Sequence, residues 1–120
     1  MIKQNINIID VPTLYNILKE IEENLPFKVV NFSKLNDFQV FLKAKQSNKN
    51  NFFIITTFQN KDYFVNKEKL DLKNIFFLYR KDQKSDLDKD YNIFNYPIEI
   101  NNLIEKINIQ LIKDKYNFQS

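Results

Sequence analysis

Two short stretches of this chain are apolar at every position. Residues 52–55 read FFII and residues 75–79 read IFFLY. Short apolar runs of this kind are typical of strands that are buried on both faces, as in parallel sheets covered by helices on each side. A strand with one solvated face would instead alternate between apolar and polar residues. The two runs therefore favour the α/β fold class.

The other segments alternate between strand patterns and helix patterns. Residues 5–10, 27–32 and 91–94 form short runs typical of strands. Pro12 suits the first turn of a helix, and Pro26 is expected to end that helix. Three amphipathic helices are indicated by apolar residues spaced three or four apart: Leu14, Ile17, Leu18, Ile21 and Leu25, then Leu35, Phe38, Phe41 and Leu42, then Ile100, Leu103, Ile104, Ile107, Leu111 and Ile112.

Two segments have weaker patterns. Residues 59–74 are compatible with a short helix or a packed loop, and residues 80–90 have Leu87 as their one apolar residue. We expect a single domain over residues 1–120, in which residues 115–120 resemble the start of a linker. The alternation of elements predicts a doubly wound, five-stranded parallel sheet in the order 2-1-3-4-5, with helices on both faces.

Three residue types that often carry chemistry are missing from the 120 residues: histidine, cysteine and glycine. Their absence removes the commonest general base, thiolate nucleophiles and metal sites, disulfides and glycine-rich phosphate loops. We therefore expect no catalytic residue, no cofactor and no metal site. We also expect any residue with positive φ to be Asn or Asp, which tolerate that conformation best.

Charge and hydropathy limit the expected partners. The net charge is +3, with acidic and basic residues well mixed, which argues against direct contact with nucleic acid. No apolar run approaches the roughly 20 residues that span a bilayer. The N-terminal residues also lack the features of a signal peptide. These observations favour a cytoplasmic protein without membrane contact.

Three local matches, in order along the chain, point to a family. Asp10 ends the first strand and is followed by Val11 and Pro12; residues 51–56 read NFFIIT; residues 94–107 read FNYPIEINNLIEKI. Over nearly its full length the chain resembles the receiver domain of two-component response regulators. The resemblance implies a flavodoxin-like or CheY-like fold, in agreement with the element order.

The resemblance also implies a pocket that has lost its chemistry. In receivers the third strand ends in a phosphoryl-accepting aspartate, but here that position is Thr56, or Thr57 if the register shifts by one. Asp10 is what is left of the acidic pair that holds Mg²⁺. Tyr79 stands at the switch hydroxyl, and Tyr96 replaces the lysine before proline. A threonine cannot form an acyl phosphate, and one carboxylate is a poor magnesium site, so we expect a degenerate pocket.

Two of these residues have alternative interpretations. We expect Asp10 to cap the N-terminus of the next helix, with a residual cation site as the alternative. Tyr96 either fills the former phosphate pocket or packs at the edge of the sheet. The family also makes the Tyr96–Pro97 bond a candidate for the cis form.

The resemblance implies a phosphorylation-independent regulatory domain that acts through protein contacts or homodimerisation. If an effector follows, the chain would be the N-terminal half of a DNA-binding transcriptional regulator. The implied dimer or output face lies on the fifth strand and last helix and comprises Tyr91, Ile98, Asn102, Lys106 and Ile109.

Two alternatives come from other functional classes. One is a small flavodoxin-like ligand-binding or enzymatic domain that uses the carboxyl ends of the strands. Its candidate residues would be Asp10, Ser33, Thr56, Thr57, Tyr79 and Tyr96. The other is a basic nucleic-acid module, whose affinity would depend steeply on salt.

Overall fold

The computed structural model describes residues 3–44, 52–67, 72–79, 92–95 and 98–119, with side chains of the last helix described through Lys113. The main elements are β1 (Gln4–Ile9), α1 (Pro12–Glu20), β2 (Phe27–Phe32), α2 (Leu35–Ala44), β3 (Phe53–Thr57), β4 (Ile75–Tyr79), β5 (Asn92–Asn95) and α3 (Ile100–Gln119). All strand pairs are parallel, and the sheet order is β2-β1-β3-β4-β5. The expected α/β fold with this strand order is therefore confirmed.

The central strands are buried, as their composition predicts. Every residue of β4 is buried, and so are the first four residues of β3. Asn7 on β1 is a polar side chain within this apolar sheet, and it is 4% exposed. Its Nδ2 donates to Phe53 O on β3 at 3.1 Å, which satisfies a donor that would otherwise be costly to bury.

The sheet separates two hydrophobic cores. On one face, α1 and α3 pack against the sheet through side chains that include Leu18, Leu103 and Ile107. On the other face, α2 and the segment after β3 pack through Phe38 and Phe64. Each helix has one buried stripe, because apolar residues at spacings of three and four fall on the same side of a helix.

The first helix ends earlier than Pro26, so that expectation is wrong. α1 ends at Glu20, and residues Glu22–Asn24 form a 3₁₀ turn. The apolar stripe is broken accordingly: Ile17 is 42% exposed, while Leu25 is buried beyond the helix. The physical reason lies in the turn, where the Asn24 N–H donates to Ile21 O and redirects the chain before proline is reached.

The less regular segment after β3 contains short helical turns. Phe58–Asn60 and Leu72–Asn74 are 3₁₀ turns, and Tyr63–Lys67 is a π-helical turn whose Phe64 is fully buried. The weak helix expected over residues 80–90 lies outside the described residues. At the other end of the chain, α3 continues to Gln119, so the residues expected to begin a linker are helical over 115–119.

Candidate functional site

The carboxyl ends of the parallel strands form the edge at which doubly wound sheets bind ligands. Ile9 on β1 pairs with Thr56 on β3, and Thr57 pairs with Leu78 on β4. The residue that follows β1, Asp10, therefore comes next to the end of β3. We call this edge the rim and define it by Asp10, Thr56, Thr57, Asn60 and Tyr79.

Asp10 turns the chain away from the sheet. Its φ is +66°, and no other described residue has a positive φ. Its N–H donates to Phe32 O at 2.9 Å, which extends the β1–β2 pairing by one bond. The expectation that Asn or Asp would supply such a conformation in a glycine-free chain is confirmed.

The expectation that Asp10 caps the next helix is wrong. The N-cap of α1 is Val11, and no side chain caps that helix end. Because the left-handed turn is made by Asp10, the N-cap position falls one residue later. Pro12 then occupies the first turn, where its missing N–H removes one of the donors that a cap would satisfy.

The Asp10 carboxylate instead contacts the segment after β3. Asn60 Nδ2 donates to Asp10 Oδ2 at 3.2 Å and to Thr56 Oγ1 at 2.9 Å. One amide thus joins a carboxylate on the β1 side of the rim to a hydroxyl on β3. We call this chain of contacts the rim bridge. It links side chains that are 50 residues apart in sequence.

The two threonines differ in their access to solvent. Thr56 is fully buried, and its hydroxyl accepts the Asn60 hydrogen bond. Thr57, one position further along β3, is half-buried. Of the two threonines expected at the acceptor position, Thr56 therefore has a hydroxyl that is closed to an incoming phosphoryl donor.

Tyr79 is a core residue rather than an open rim hydroxyl. It is 6% exposed, and its ring stands edge-on to Phe58 with the centroids 5.4 Å apart. Phe58 is also edge-on to Phe77 at 6.0 Å, and Lys61 Nζ lies 5.1 Å from the Phe58 ring centroid. Aromatic contacts therefore fill the β4 end of the rim.

The expected contact face is partly described. Asn102, Lys106 and Ile109 on α3 are exposed, and Ile109 is 43% exposed. Lys106 Nζ lies 5.1 Å from the centroid of Phe94 on β5, which ties the helix to the edge strand. Ile98, which was also assigned to this face, is half-buried and packs against the α1–α3 core.

Tyr91, Tyr96 and the Tyr96–Pro97 bond lie outside the described residues. Ser33 is exposed, and its hydroxyl accepts from Asn31 Nδ2 at 3.5 Å. Among the described residues, no three acidic side chains converge as a metal site would require.

Asn60 is the rim residue that the sequence did not indicate. It lies in a segment without clear periodicity, and its neighbours are polar. A signal did exist: Thr56 and Asn60 are four residues apart, and a 3₁₀ turn directly after a strand can place the later side chain over the earlier one. Without knowing that Phe58–Asn60 is helical, this spacing could not be interpreted.

Removal of the rim bridge should destabilise the domain measurably. Asn60→Ala leaves the buried Thr56 hydroxyl without this donor and frees Asp10, so we expect a loss of about 1–2 kcal/mol in the free energy of unfolding. Gln59→Ala is the matched control, because Gln59 is the exposed residue of the same turn, and it should change stability by less than about 0.5 kcal/mol. Urea denaturation measures both, and equal losses would show that the bridge contributes nothing specific.

Comparisons with other proteins add no assignment to this geometry. No protein-family model matches the chain, and no curated protein or solved structure matches it at a significant level. In the part of the chain that the structure describes, no helix has both the length and the apolar composition to cross a membrane.

Proposed function

We propose that this chain is a receiver-like regulatory domain that acts without phosphorylation, through contacts with another protein or a second copy of itself. The observation that carries the proposal is the rim bridge on a five-stranded parallel sheet of order 2-1-3-4-5. The bridge uses the carboxylate and hydroxyl that stand where receivers hold magnesium and phosphate. The proposal includes a cytoplasmic location.

A chemical argument supports phosphorylation independence. A phosphoryl group needs a carboxylate acceptor and a cation to balance its charge. At the rim, Asp10 is the one carboxylate, and a neutral amide donor already bonds its Oδ2. The candidate acceptor, Thr56, is buried and hydrogen-bonded to that same amide. The rim is thereby held in one arrangement by its own side chains.

A phosphoryl mimic should have no effect on this protein. Adding Mg²⁺ with beryllofluoride should leave the melting temperature and the near-ultraviolet spectrum unchanged, because the described residues place neither an acceptor aspartate nor a second carboxylate at the rim. A receiver that retains its phosphorylatable aspartate is the positive control. Stabilisation of this protein by the mimic would contradict the proposal.

Asn60→Ala separates the effect of the rim bridge from the effect of the missing carboxylates. The variant frees Asp10 and Thr56 without supplying new ligands, so it should also ignore the mimic. If the variant responds while the original chain does not, then the rim bridge, rather than the missing carboxylates, is what prevents binding.

The proposed contact surface can be tested on α3. Ile109→Asp places a charge on the exposed face of the helix, so any dimer formed through this face should weaken by at least about tenfold in dissociation constant. Val40→Asp on α2 is the matched control, because Val40 is 63% exposed on the other side of the sheet. Unchanged sedimentation of Ile109→Asp would exclude this face.

If an effector domain follows in the full gene product, this chain would be the regulatory half of a transcriptional regulator. DNA contact would then come from the effector. The mixed charge of this chain supports that division of roles, since a net charge of +3 is too small to dominate phosphate binding.

A further inference from the structure

β2 lies at one edge of the sheet, and alternate residues of this strand direct their backbone groups outward. Phe32 O accepts a hydrogen bond from the Asp10 N–H, which is on the β1 side. Successive residues of a strand direct their backbone groups to opposite sides. The outward groups therefore belong to Phe27, Val29 and Asn31, and Val29 is the middle residue of the three.

The middle donor of this edge is already occupied. The Val29 N–H donates to Glu22 Oε2 at 2.9 Å, and Lys19 Nζ lies 2.9 Å from Glu22 Oε1. Both carboxylate oxygens of Glu22 are thus engaged, one on the strand and one on α1. The 3₁₀ turn Glu22–Asn24 places the carboxylate there, directly before the chain enters β2.

We propose that the outer edge of β2 is a latent pairing surface for the β2 strand of a second copy of this chain, and that Glu22 keeps this surface closed. An edge strand with unpaired backbone groups is a template for another strand unless something covers it. Among the residues that the structure describes, the Glu22 side chain covers the central donor of this edge, so its removal opens that donor while the sheet itself stays intact.

A second copy fits this edge by symmetry. In an antiparallel pair about a two-fold axis, Val29 exchanges both backbone bonds with the same residue of the other copy, and Phe27 lies opposite Asn31. Lys28, the one charged residue of β2, then lies opposite Val30 rather than opposite its own counterpart, so like charges do not meet. The aromatic and β-branched residues of β2 also favour strand pairing.

The ionisation of Glu22 keeps the edge closed at neutral pH. Two hydrogen bonds hold the pKa of Glu22 below its ordinary value of 4.5: the one from the Val29 N–H has the larger effect, and the one from Lys19 the smaller. Partial burial acts against these two hydrogen bonds, and the charges of Lys19 and Lys28 lower the pKa of Glu22 by smaller amounts. Because the folded pKa is lowered, the contact is fully present above the ordinary value and is lost as the pH falls through the lowered one.

The experiment uses Glu22→Ala with Glu23→Ala as the matched control. Each variant removes the charge of one of two adjacent glutamates, but only the Glu22 carboxylate accepts the hydrogen bond from the Val29 N–H. Both are made in the Ile109→Asp background, so that association through α3 does not contribute. The inference does not depend on the proposed function, since it concerns the opposite edge of the sheet.

Sedimentation velocity over a concentration series at neutral pH measures the outcome. Glu22→Ala should dimerise with an apparent dissociation constant at least about tenfold below that of Glu23→Ala. Adding Asn31→Pro should restore the monomer, because proline removes the outward N–H at an edge position where it is otherwise tolerated. Hydrogen exchange should show protection of the Val29 amide in the dimer.

Two results would overturn the inference. Glu22→Ala could sediment like Glu23→Ala, which would mean that no pairing surface lies beneath the carboxylate. Alternatively, the dimer could persist with Asn31→Pro, which would place the association elsewhere. If circular dichroism shows that Glu22→Ala is unfolded, Glu22→Met takes its place with the same control and the same two criteria, because it keeps about the same side-chain length and has no oxygen to accept the Val29 N–H.

Discussion

Phe38→Ala should lower the free energy of unfolding by about 3–5 kcal/mol, the usual range for removing a buried phenylalanine. Phe38 is 0% exposed and lies at the centre of the core between α2 and the sheet. Its ring centroid is 5.2 Å from that of Phe32 and 6.0 Å from those of Phe52 and Phe64. Each of these rings would lose a neighbour, and a cavity would remain because the surrounding aromatic side chains are too rigid to fill it.

A loss of that size is a large part of the roughly 5–15 kcal/mol by which domains are stable. Urea denaturation followed by far-ultraviolet circular dichroism measures it. Val40→Ala on the same helix is the matched control, because Val40 is 63% exposed and its truncation should cost less than about 0.5 kcal/mol. Similar losses for the two variants would show that α2 does not pack through Phe38.

Leu103→Ala should lower the free energy of unfolding by about 2–5 kcal/mol, because it removes a buried side chain on the other face of the sheet. Leu103 is 0% exposed in the core shared by α1 and α3. Ile112→Ala is the control on the same helix, because Ile112 is 49% exposed. A negligible loss for Leu103→Ala would mean that α3 is not held by its apolar stripe.

The two substitutions also test the separation of the cores. Phe38 and Leu103 belong to different clusters, with the sheet between them. Their effects should therefore add to within about 0.5 kcal/mol in the double variant, as is usual for distant sites without shared contacts. Strong non-additivity would indicate that the sheet transmits strain from one core to the other.

The strands and their order were predictable because buried strands consist of apolar residues or alternate between apolar and polar ones. The strands expected at 27–32 and 75–79 have the observed bounds. In these segments each position must be apolar or alternate with the pleat, so periodicity alone locates them. The parallel order then follows from the alternation of strands with helices and the handedness of crossovers.

The helix end near Pro26 was mispredicted because proline marks where a helix cannot continue, not where it stops. The observed end depends on the hydrogen bonds of the turn after Glu20 and on the tie between Glu22 and Val29. These interactions join residues of different elements. Short-range patterns carry no information about such contacts until the elements are positioned.

The rim was only partly predictable. Asp10 and Thr56 could be assigned to one edge of the sheet, because both lie at the carboxyl ends of neighbouring parallel strands. Their connection through Asn60 could not, since it depends on the path of an irregular segment. The contact between Tyr79 and Phe58 was likewise not predictable, because Phe58 lies in that same segment.

The buried Asn7 has a consequence for how the domain forms. The carbonyl that its amide needs belongs to Phe53, 46 residues later. A fragment that contains β1, α1 and β2 alone would therefore bury an amide without its acceptor, or leave β1 partly hydrated. This fragment should consequently not be stable as an independent unit, and the chain should fold in one cooperative step that includes the docking of β3.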